Sequence, residues 1–279
     1  MEHKILGLIP SRARGTAPIV AKKMLPFCET IVIYGRDVPY SDRNLPDRVY
    51  LMDQPEEWGL NGVRNKMTEL FMNSHADVML QVDDDLDFPS TMIPNILSTL
   101  FAYVSVGAAA GQSRVIHHWN EDIKSNGPYR LDGLVSQMFA VKKTAVNDMM
   151  GAYDDGPFGP NNVLEDLLFS VRMWTQGWAL LRVHLPDVYV TPTISRLNKS
   201  VGSGGQPVSE REAGMDEAIA FMSDEVAGPD GVLKFIRPKY LQKSKQKSFN
   251  VRYNYINMVR NVKARWGFQG YTDNKGRSF

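Results

Sequence analysis

The sequence predicts an α/β protein built on a mostly parallel, Rossmann-type sheet flanked by helices, and two features carry that expectation. Short apolar runs alternate with stretches of helical period from residue 4 to about residue 104, the pattern that βαβ units leave in a chain. The strand-like runs are apolar at nearly every position rather than at every second one, as strands covered on both faces are. At 279 residues the chain is long enough for one such domain with a full core.

The elements follow in order. KILGLIP reads as the first strand and PIVAKKMLPF as the first helix; TIVIYG and RVYLM are the next two strands. NGVRNKMTELFMNS reads as a helix beginning near Asn61, and DVMLQV as a central strand. Residues 89–104 have helical period, and GAAAGQ is a strand of small residues. HHWNEDIKSNGPYR shows no period and reads as a loop, LVSQMFAVKK as a strand, and DDGPFGPNN as a turn region of Gly, Pro, Asn and Asp. VLEDLLFSVRMWTQG places apolar residues at 164, 167, 168, 171 and 174, a helical stripe ended by Gly177. WALLRV and VYVTP are two more strands, SVGSGGQP a loop, and SEREAGMDEAIAFMSDE a helix whose Ser209 and Glu212 fit a capping box.

Composition narrows the classes. One cysteine, Cys28, excludes an internal disulfide framework. MEHKILGLIPSRARG breaks its short apolar stretch at Pro10 and two arginines, which predicts neither a signal-peptide core nor a membrane span and makes the cytoplasm the expected location. The net charge of +1 conceals an asymmetry. Residues 234–279 hold 12 of the 32 Lys/Arg and one of the 31 acids, Asp273, leaving 20 basic against 30 acidic residues in 1–233. The chain is accordingly divided into a body, 1–233, and a basic, aromatic C-terminal extension, 234–279. Lys and Arg alternate there with Phe235, Tyr240, Phe249, Tyr253, Tyr255, Trp266, Phe268 and Tyr271. Such a segment either binds phosphates and stacks on bases or packs its rings on the body while its cations meet the acidic excess.

The densest chemical signal is LQVDDDLDFP, where Asp83, Asp84, Asp85 and Asp87 follow the central strand. Open α/β sheets bind ligands at the C-terminal ends of their strands. A calcium loop of the EF-hand type fails, since the sixth position from Asp83 is Phe88 and the twelfth Pro94. Two readings stay open: a solvated acidic turn, and a site where Asp83 and Asp85 hold Mg²⁺ or Mn²⁺ whose shell is completed by substrate phosphates. Arg64 and Asn65 stand in the first turns of the preceding helix, where an arginine and a helix N-terminus favour phosphate.

A second carboxylate pair, Glu165 and Asp166, opens the helix after the Gly/Pro turn region. Negative charge at a helix N-terminus has a structural reason of its own. The alternative is a general base able to deprotonate an acceptor hydroxyl. His184, within RVHLP, reads as a packed histidine rather than a ligand. His117, His118 and Trp119 lie in the aperiodic loop and suit contact with an exposed base better than a metal. RLNKSVGSGGQ is either a connector or a mobile phosphate-binding loop carrying Arg196 and Lys199.

The order of strand-PSRAR, helix, two strands, the GLNGVRN helix, strand-VDDD, strand-MFAVKK and the ED helix resembles the GT-A nucleotide-sugar glycosyltransferases, family 2-like members above all, over roughly residues 4–192. Within that group IPSRAR and the chain length are similar to the TET-associated glycosyltransferases of bacteriophages. The resemblance implies a GT-A-like fold and a donor such as a UDP-sugar. It implies Asp85 as metal ligand and Asp83 as a contact to metal or donor ribose. Ser11, Arg12 and Arg14 fall in the region that holds the nucleotide, and Arg64 near the donor diphosphate. Asp166 would be the base, with Glu165 as the alternative. Many relatives carry an acidic pair on the second strand, where this chain has IVIYGRD, which leaves Tyr34 or Asp37 for the nucleotide base. The late histidine of many relatives is missing, so the third metal ligand is not identified. The phage likeness implies a hydroxymethylated pyrimidine in DNA as acceptor. A glycan or lipid-carrier acceptor, and a nucleic-acid-binding protein with an inactive transferase core, are the alternatives.

Overall fold

A computed structural model describes residues 3–12, 14–55, 59–112, 129–131, 133–135, 137–161, 163–185, 188–192, 208–228, 230–236 and 250–267. His117, His118, Trp119, the loop 196–206, Tyr240, Phe249, Phe268 and Tyr271 lie outside the described residues. The strands in chain order are β1 (Ile5–Arg12), β2 (Thr30–Arg36), β3 (Val49–Asp53), β4 (Val78–Val82), β5 (Leu86–Asp87), β6 (Val106–Ala110), β7 (Tyr129–Leu131), β8 (Met138–Lys142), β9 (Ala179–Val183), β10 (Thr191–Pro192), β11 (Leu233–Ile236) and β12 (Asn250–Tyr253). The helices are α1 (Ala17–Met24), α2 (Leu60–Asn73), α3 (Met92–Leu100), α4 (Lys143–Ala152), α5 (Glu165–Thr175), α6 (Val208–Glu225) and α7 (Tyr255–Trp266).

Eight strands form one sheet in the order β3-β2-β1-β4-β8-β6-β9-β7. β3, β2, β1 and β4 are parallel neighbours, as are β6 and β9. β8 runs antiparallel between β4 and β6, and β7 antiparallel along β9. The apolar runs of the sequence are the buried strands. All five residues of β4, β6 and β9 are buried, as expected of strands covered on both faces. The first loop after β1 and the aspartates after β4 therefore leave the sheet side by side at one end, where a crevice forms.

Three boundaries differ from the pattern. The helical period over 89–104 yields nine residues of helix, Met92–Leu100. Just before it the chain pairs as β5 with β10, Leu86 opposite Pro192 and Asp87 opposite Thr191, so VYVTP contributes two strand residues. Tyr129–Leu131, at the end of the aperiodic stretch and just beyond it, pairs with β9 at the sheet edge; three residues are too few to show a period. The helix expected to start near Asn61 starts at Leu60. The side chains of Ser209 and Glu212, at the start of α6, lie outside the described residues.

The C-terminal segment packs on the body through α7. β11 and β12 pair as an antiparallel ribbon that buries Leu233, Val251 and Tyr253. On α7, Met258 and Val262 are buried, and its side chains cap α5. Asn261 donates to Trp174 O, Arg265 Nη1 to Gln176 O and Trp266 Nε1 to Gly177 O. These carbonyls lie at and just beyond the end of α5, where intrahelical partners run out; Trp174 O also accepts from Gly177 N–H. Gly177 permits the contact twice over. Its φ is +75°, and a Cβ there would stand 2.9 Å from Asn261 O. The rings of Trp178 and Trp266 pack 4.7 Å apart, and Asp148 accepts from both Trp178 Nε1 and Arg265 Nη2. Of the rings in the extension, those of Phe235, Tyr253, Tyr255 and Trp266 thus pack against the body's core.

Trp266→Ala removes one ring and one hydrogen bond from this dock while leaving the sheet intact. It is expected to cost about 2–3 kcal/mol, read as a lower urea midpoint at unchanged slope; an unchanged midpoint would show that α7 does not hold α5.

Candidate functional site

The β4 strand ends at Val82, and the three aspartates that follow it lead into a turn at that end of the sheet. Asp83 is tied to the sheet by its own N–H, which donates to Gln137 O at 2.7 Å. Asp84 turns inward. Its carboxylate accepts from Ser11 Oγ at 2.7 Å and from Arg14 Nη1 at 2.7 Å, and Tyr40 OH donates to Ser11 Oγ at 3.3 Å. Arg14 also lies 3.0 Å from Asp85 Oδ2. Side-chain exposure separates the roles: 5% for Asp84 against 26% for Asp83 and 21% for Asp85. Asp84 is the anchor that binds the first loop to the acidic turn, and Asp83 and Asp85 remain open to a ligand.

Opposite stands the start of α5. Leu164, in the left-handed region at φ +62°, precedes Glu165 and turns the chain into the helix. Gln137, whose carbonyl holds Asp83, is also left-handed at φ +43°. Two of the four non-glycine residues with positive φ among the described residues thus sit against this site, a strain of order 1–3 kcal/mol each that the surrounding packing must hold. Glu165 and Asp166 occupy the first turn, where the helix dipole favours negative charge.

Arg64 bridges the two sides. Its Nη2 lies 3.4 Å from Asp83 Oδ1 and its Nη1 3.0 Å from Glu165 Oε1. Its guanidinium lies over the ring of Phe158, 5.6 Å from the centroid. Phe158 in turn stacks on Phe169 of α5 at 4.5 Å. The neighbouring Asn65 fixes the loop that carries Phe158. Its amide donates to Asp155 O and Gly159 O and accepts from Phe158 N–H, while Asn61 donates to Gly159 O. Gly156 and Gly159 adopt φ of +80° and +67° in this loop, and a Cβ on Gly156 would meet the Asn65 amide at 2.8 Å. From the other side Arg172 of α5, 1% exposed, donates to Asp155, to Gly156 O and to Glu225 of α6.

The electrostatics follow from burial and crowding. Burial pushes the Asp83 carboxyl up to about 7; Arg64 opposes the shift, and Asp85, Asp84 and Asp166 add to it. Glu165 is raised in the same way, by burial first and by its acidic neighbours, against the pull of Arg64. Burial also raises Asp84, more than Arg14 and Ser11 lower it. For Arg64 burial alone would favour the neutral form, but Glu165, Asp83 and Asp166 outweigh it.

Of the residues singled out by sequence, Ser11, Arg14, Arg64, Asp83, Asp85, Glu165 and Asp166 come together, although the Ser11 hydroxyl is committed to Asp84. Arg12 stands exposed at the end of β1. Tyr34 is 3% exposed, and burial and the charge of Glu69 raise its phenol; it is a core residue beside α2. Asp37 is exposed, 3.5 Å from Arg36. Asp84, Tyr40, Asn61, Asn65 and Phe158 carry roles that the sequence did not mark.

Hard divalent cations suit the donor set. Asp83 and Asp85 offer carboxylate oxygens, and Mg²⁺ takes one or two of these and completes its shell with water and phosphate. Burial first and the neighbouring acids next raise Asp83, and a cation bound there would favour its charged form. Among the described residues, no group of three or more His, Cys, Asp or Glu side chains is placed to hold a metal, so no third protein ligand is identified.

Asn65→Ala deletes three hydrogen bonds to the loop between α2 and α5. It is expected to cost about 2–3 kcal/mol, measured by urea unfolding; a loss below about 0.5 kcal/mol would mean that the loop is held by other contacts.

No protein-family model and no curated protein matches the sequence. Solved structures match in fold. Glucosyl-3-phosphoglycerate synthase from Mycobacterium tuberculosis, in complex with Mg²⁺ and UDP, superposes with a TM-score of 0.52 at 14% identity, covering 84% of each chain. GalNAc-T7, with UDP, GalNAc and Mn²⁺, gives 0.51 at 9% identity over 73% of this chain and 47% of its own. Mannosyltransferase PcManGT from Pyrobaculum calidifontis, in complex with GDP-Man and Mn²⁺, gives 0.50 at 15% over 71% and 59%. The chain therefore spans about half the length of the first of these two and three fifths of the second. With its mixed, mostly parallel sheet, flanking helices and acidic turn after the central strand, the chain has a GT-A-like α/β fold.

Proposed function

We propose that the protein is a metal-dependent, inverting glycosyltransferase that uses a nucleoside diphosphate sugar, UDP-linked by the resemblance, and acts on a hydroxymethylated pyrimidine in DNA. The observation that carries the first part is the facing pair of acidic centres: Asp83 and Asp85 open to a ligand on one side, Glu165 and Asp166 on the other, with Arg64 between them. Asp166 takes the proton of the acceptor hydroxyl. The oxygen attacks the anomeric carbon from the face opposite the diphosphate, and the bond to phosphate breaks with its electron pair leaving on the nucleoside diphosphate. A cation held by Asp83 and Asp85 would neutralise the charge that develops there. Arg14 and Arg64 hold the aspartates in place, and Arg12, exposed at the end of β1, is assigned to the nucleotide. The cytoplasm, the host's for a phage protein, is the proposed place of action; no helix among the described residues is long and apolar enough to cross a membrane.

Support for the nucleic-acid acceptor comes from the extension, 234–279, in this reading the acceptor contact beside a catalytic body, 1–233. Lys234 and Arg252 stand directly opposite each other across the β11–β12 ribbon, on the exposed face. Like charges so placed cost about 0.2–1 kcal/mol, a cost that a polyanion removes. Arg260 and Lys263 are exposed along one stripe of α7. A second reading, a glycan or lipid-carrier acceptor, is favoured by the packing of Tyr253 and Trp266 on the body. Those rings are not available to stack on bases.

Asp85→Ala and Asp166→Ala are expected to lose sugar transfer by at least about a hundredfold, and chelation to abolish it, in mass spectrometry of nucleosides after incubation with a panel of nucleotide sugars. Transfer that survives chelation defeats the metal-dependent reading, full activity in both variants defeats the roles given to Asp85 and Asp166, and no transfer by the parent protein from any donor leaves a binding protein. For the acceptor, Lys234→Glu with Arg252→Glu is expected to weaken retention of hydroxymethylated DNA at least tenfold and flatten its salt dependence, with donor hydrolysis unchanged. Unaltered retention, or none in the parent protein, would turn the assignment to a glycan or lipid carrier.

A further inference from the structure

Among the ion pairs of the crevice, one cation serves two carboxylates that belong to different centres. Arg64 reaches Asp83 at 3.4 Å and Glu165 at 3.0 Å, and its side chain is 4% exposed. It cannot swing into water, and the ring of Phe158 lies against its guanidinium. Its Nε and Nη1 have no hydrogen-bond partner among the described residues, so the contact to Glu165 is an ion pair, while Nη2 makes a long hydrogen bond to Asp83 Oδ1. The longer of its two contacts is the one to the aspartate open to a ligand. The shorter is to Glu165, whose side chain is 8% exposed and so turned away from an incoming acceptor.

We infer that Glu165 is a positioning residue for the cation site: it holds the Arg64 guanidinium off Asp83, so that the Asp83 carboxylate is free to take a divalent ion. The inference rests on the proposed function for the presence of that ion and goes beyond it in giving Glu165 a task other than proton transfer. The physical basis is competition. A guanidinium and a metal ion cannot both lie on one carboxylate without repelling each other, and a buried arginine without a second partner closes on the remaining one to the 2.7–2.9 Å typical of a charge-assisted hydrogen bond. Removing Glu165 therefore turns Arg64 from a neighbour of the cation site into its occupant. Removing Arg64 as well leaves nothing for Glu165 to hold.

The test is a double-substitution cycle read as Mn²⁺ affinity, by electron paramagnetic resonance titration of the full chain with no nucleotide present. Glu165→Gln is expected to weaken Mn²⁺ binding roughly tenfold. Arg64→Gln is expected to bind at least as tightly as the parent. Added to Arg64→Gln, Glu165→Gln is expected to change affinity by less than about threefold, the residue of its long-range charge. If Glu165→Gln costs the same factor with and without Arg64, the effect is charge at a distance and the inference falls. Should Arg64→Gln not fold, Asp166→Asn provides the comparison with Arg64 intact. It removes an equal charge from the adjacent residue, and it is expected to cost several-fold less than Glu165→Gln; equal losses overturn the inference. A parent protein that binds no Mn²⁺ defeats the transferase reading along with this one, whereas binding with an additive cycle defeats this one alone.

Discussion

Five carboxylates and two arginines meet at one end of the sheet, and the arrangement of that end depends on how their charges are compensated. Among the described residues, Asp83, Asp84, Asp85, Glu165 and Asp166 lie beside Arg14 and Arg64. Each arginine spans two acids, which a planar guanidinium does more readily than a lysine ammonium. Arg14 joins the first loop to the acidic turn, and Arg64 joins the acidic turn to α5. Without these two struts the acidic turn after β4 and the start of α5 would repel each other, and the first loop would lose its tie to that turn. With them the acids still outnumber their cations among the described residues, and the Asp83 carboxyl is raised by burial first and by Asp85, Asp84 and Asp166 next. A divalent cation is a physically economical supplement, because it adds two charges beside two partly exposed carboxylates, Asp83 and Asp85.

The struts are precise because the helices carrying them are braced elsewhere. α2 and α5 touch the same loop, residues 155–159, through Asn65 on one side and Arg172 on the other. Phe158 passes from that loop into the core against Phe169 while its ring lies against Arg64. The position of the guanidinium is thus set by core packing as well as by its partners, which is how a buried charge acquires a defined place. At the far end of α5, α7 supplies donors to the last carbonyls. One helix consequently has its N-terminus in the crevice and its C-terminus in the clasp of the extension.

Strands and the acidic turn were legible in the sequence because both are local signals. An unbroken apolar run before VDDD needs no partner to be recognised, and neither does the stripe at 164, 167, 168, 171 and 174 that became α5. The partners were not legible, for a geometric reason. Ser11 and Arg14 meet Asp84 across 73 and 70 residues, and Asn65 meets Phe158 across 93. Nothing in the spacing of a single chain ties such positions together until the sheet order is known. The same limit explains Tyr34. Its place on the second strand made it a candidate for the nucleotide base, but the alternation of β2 turns its ring into the core beside α2. β7 and β10 were too short to carry a period, and β10 exists because β5 lies beside it.

The extension shows how composition and structure pull apart. Its basic and aromatic content reads as one property, but the structure divides it between two faces. Tyr253, Trp266, Met258 and Val262 turn inward, and Arg265 is spent on Asp148 and on Gln176 O. Lys234, Arg252, Arg260 and Lys263 remain on the outside. β11 itself begins at Leu233, which is fully buried, so a cut at residue 233 would open the body and not merely remove a tail. Loss of a ligand on such truncation would report the release of α5 as readily as the loss of a contact surface. Only the outward charges separate the two, because reversing them leaves the apolar face of the ribbon and the cap on α5 intact. A surface role for this segment must therefore be sought in Lys234 and Arg252, whose mutual repulsion the fold itself gives no reason to retain.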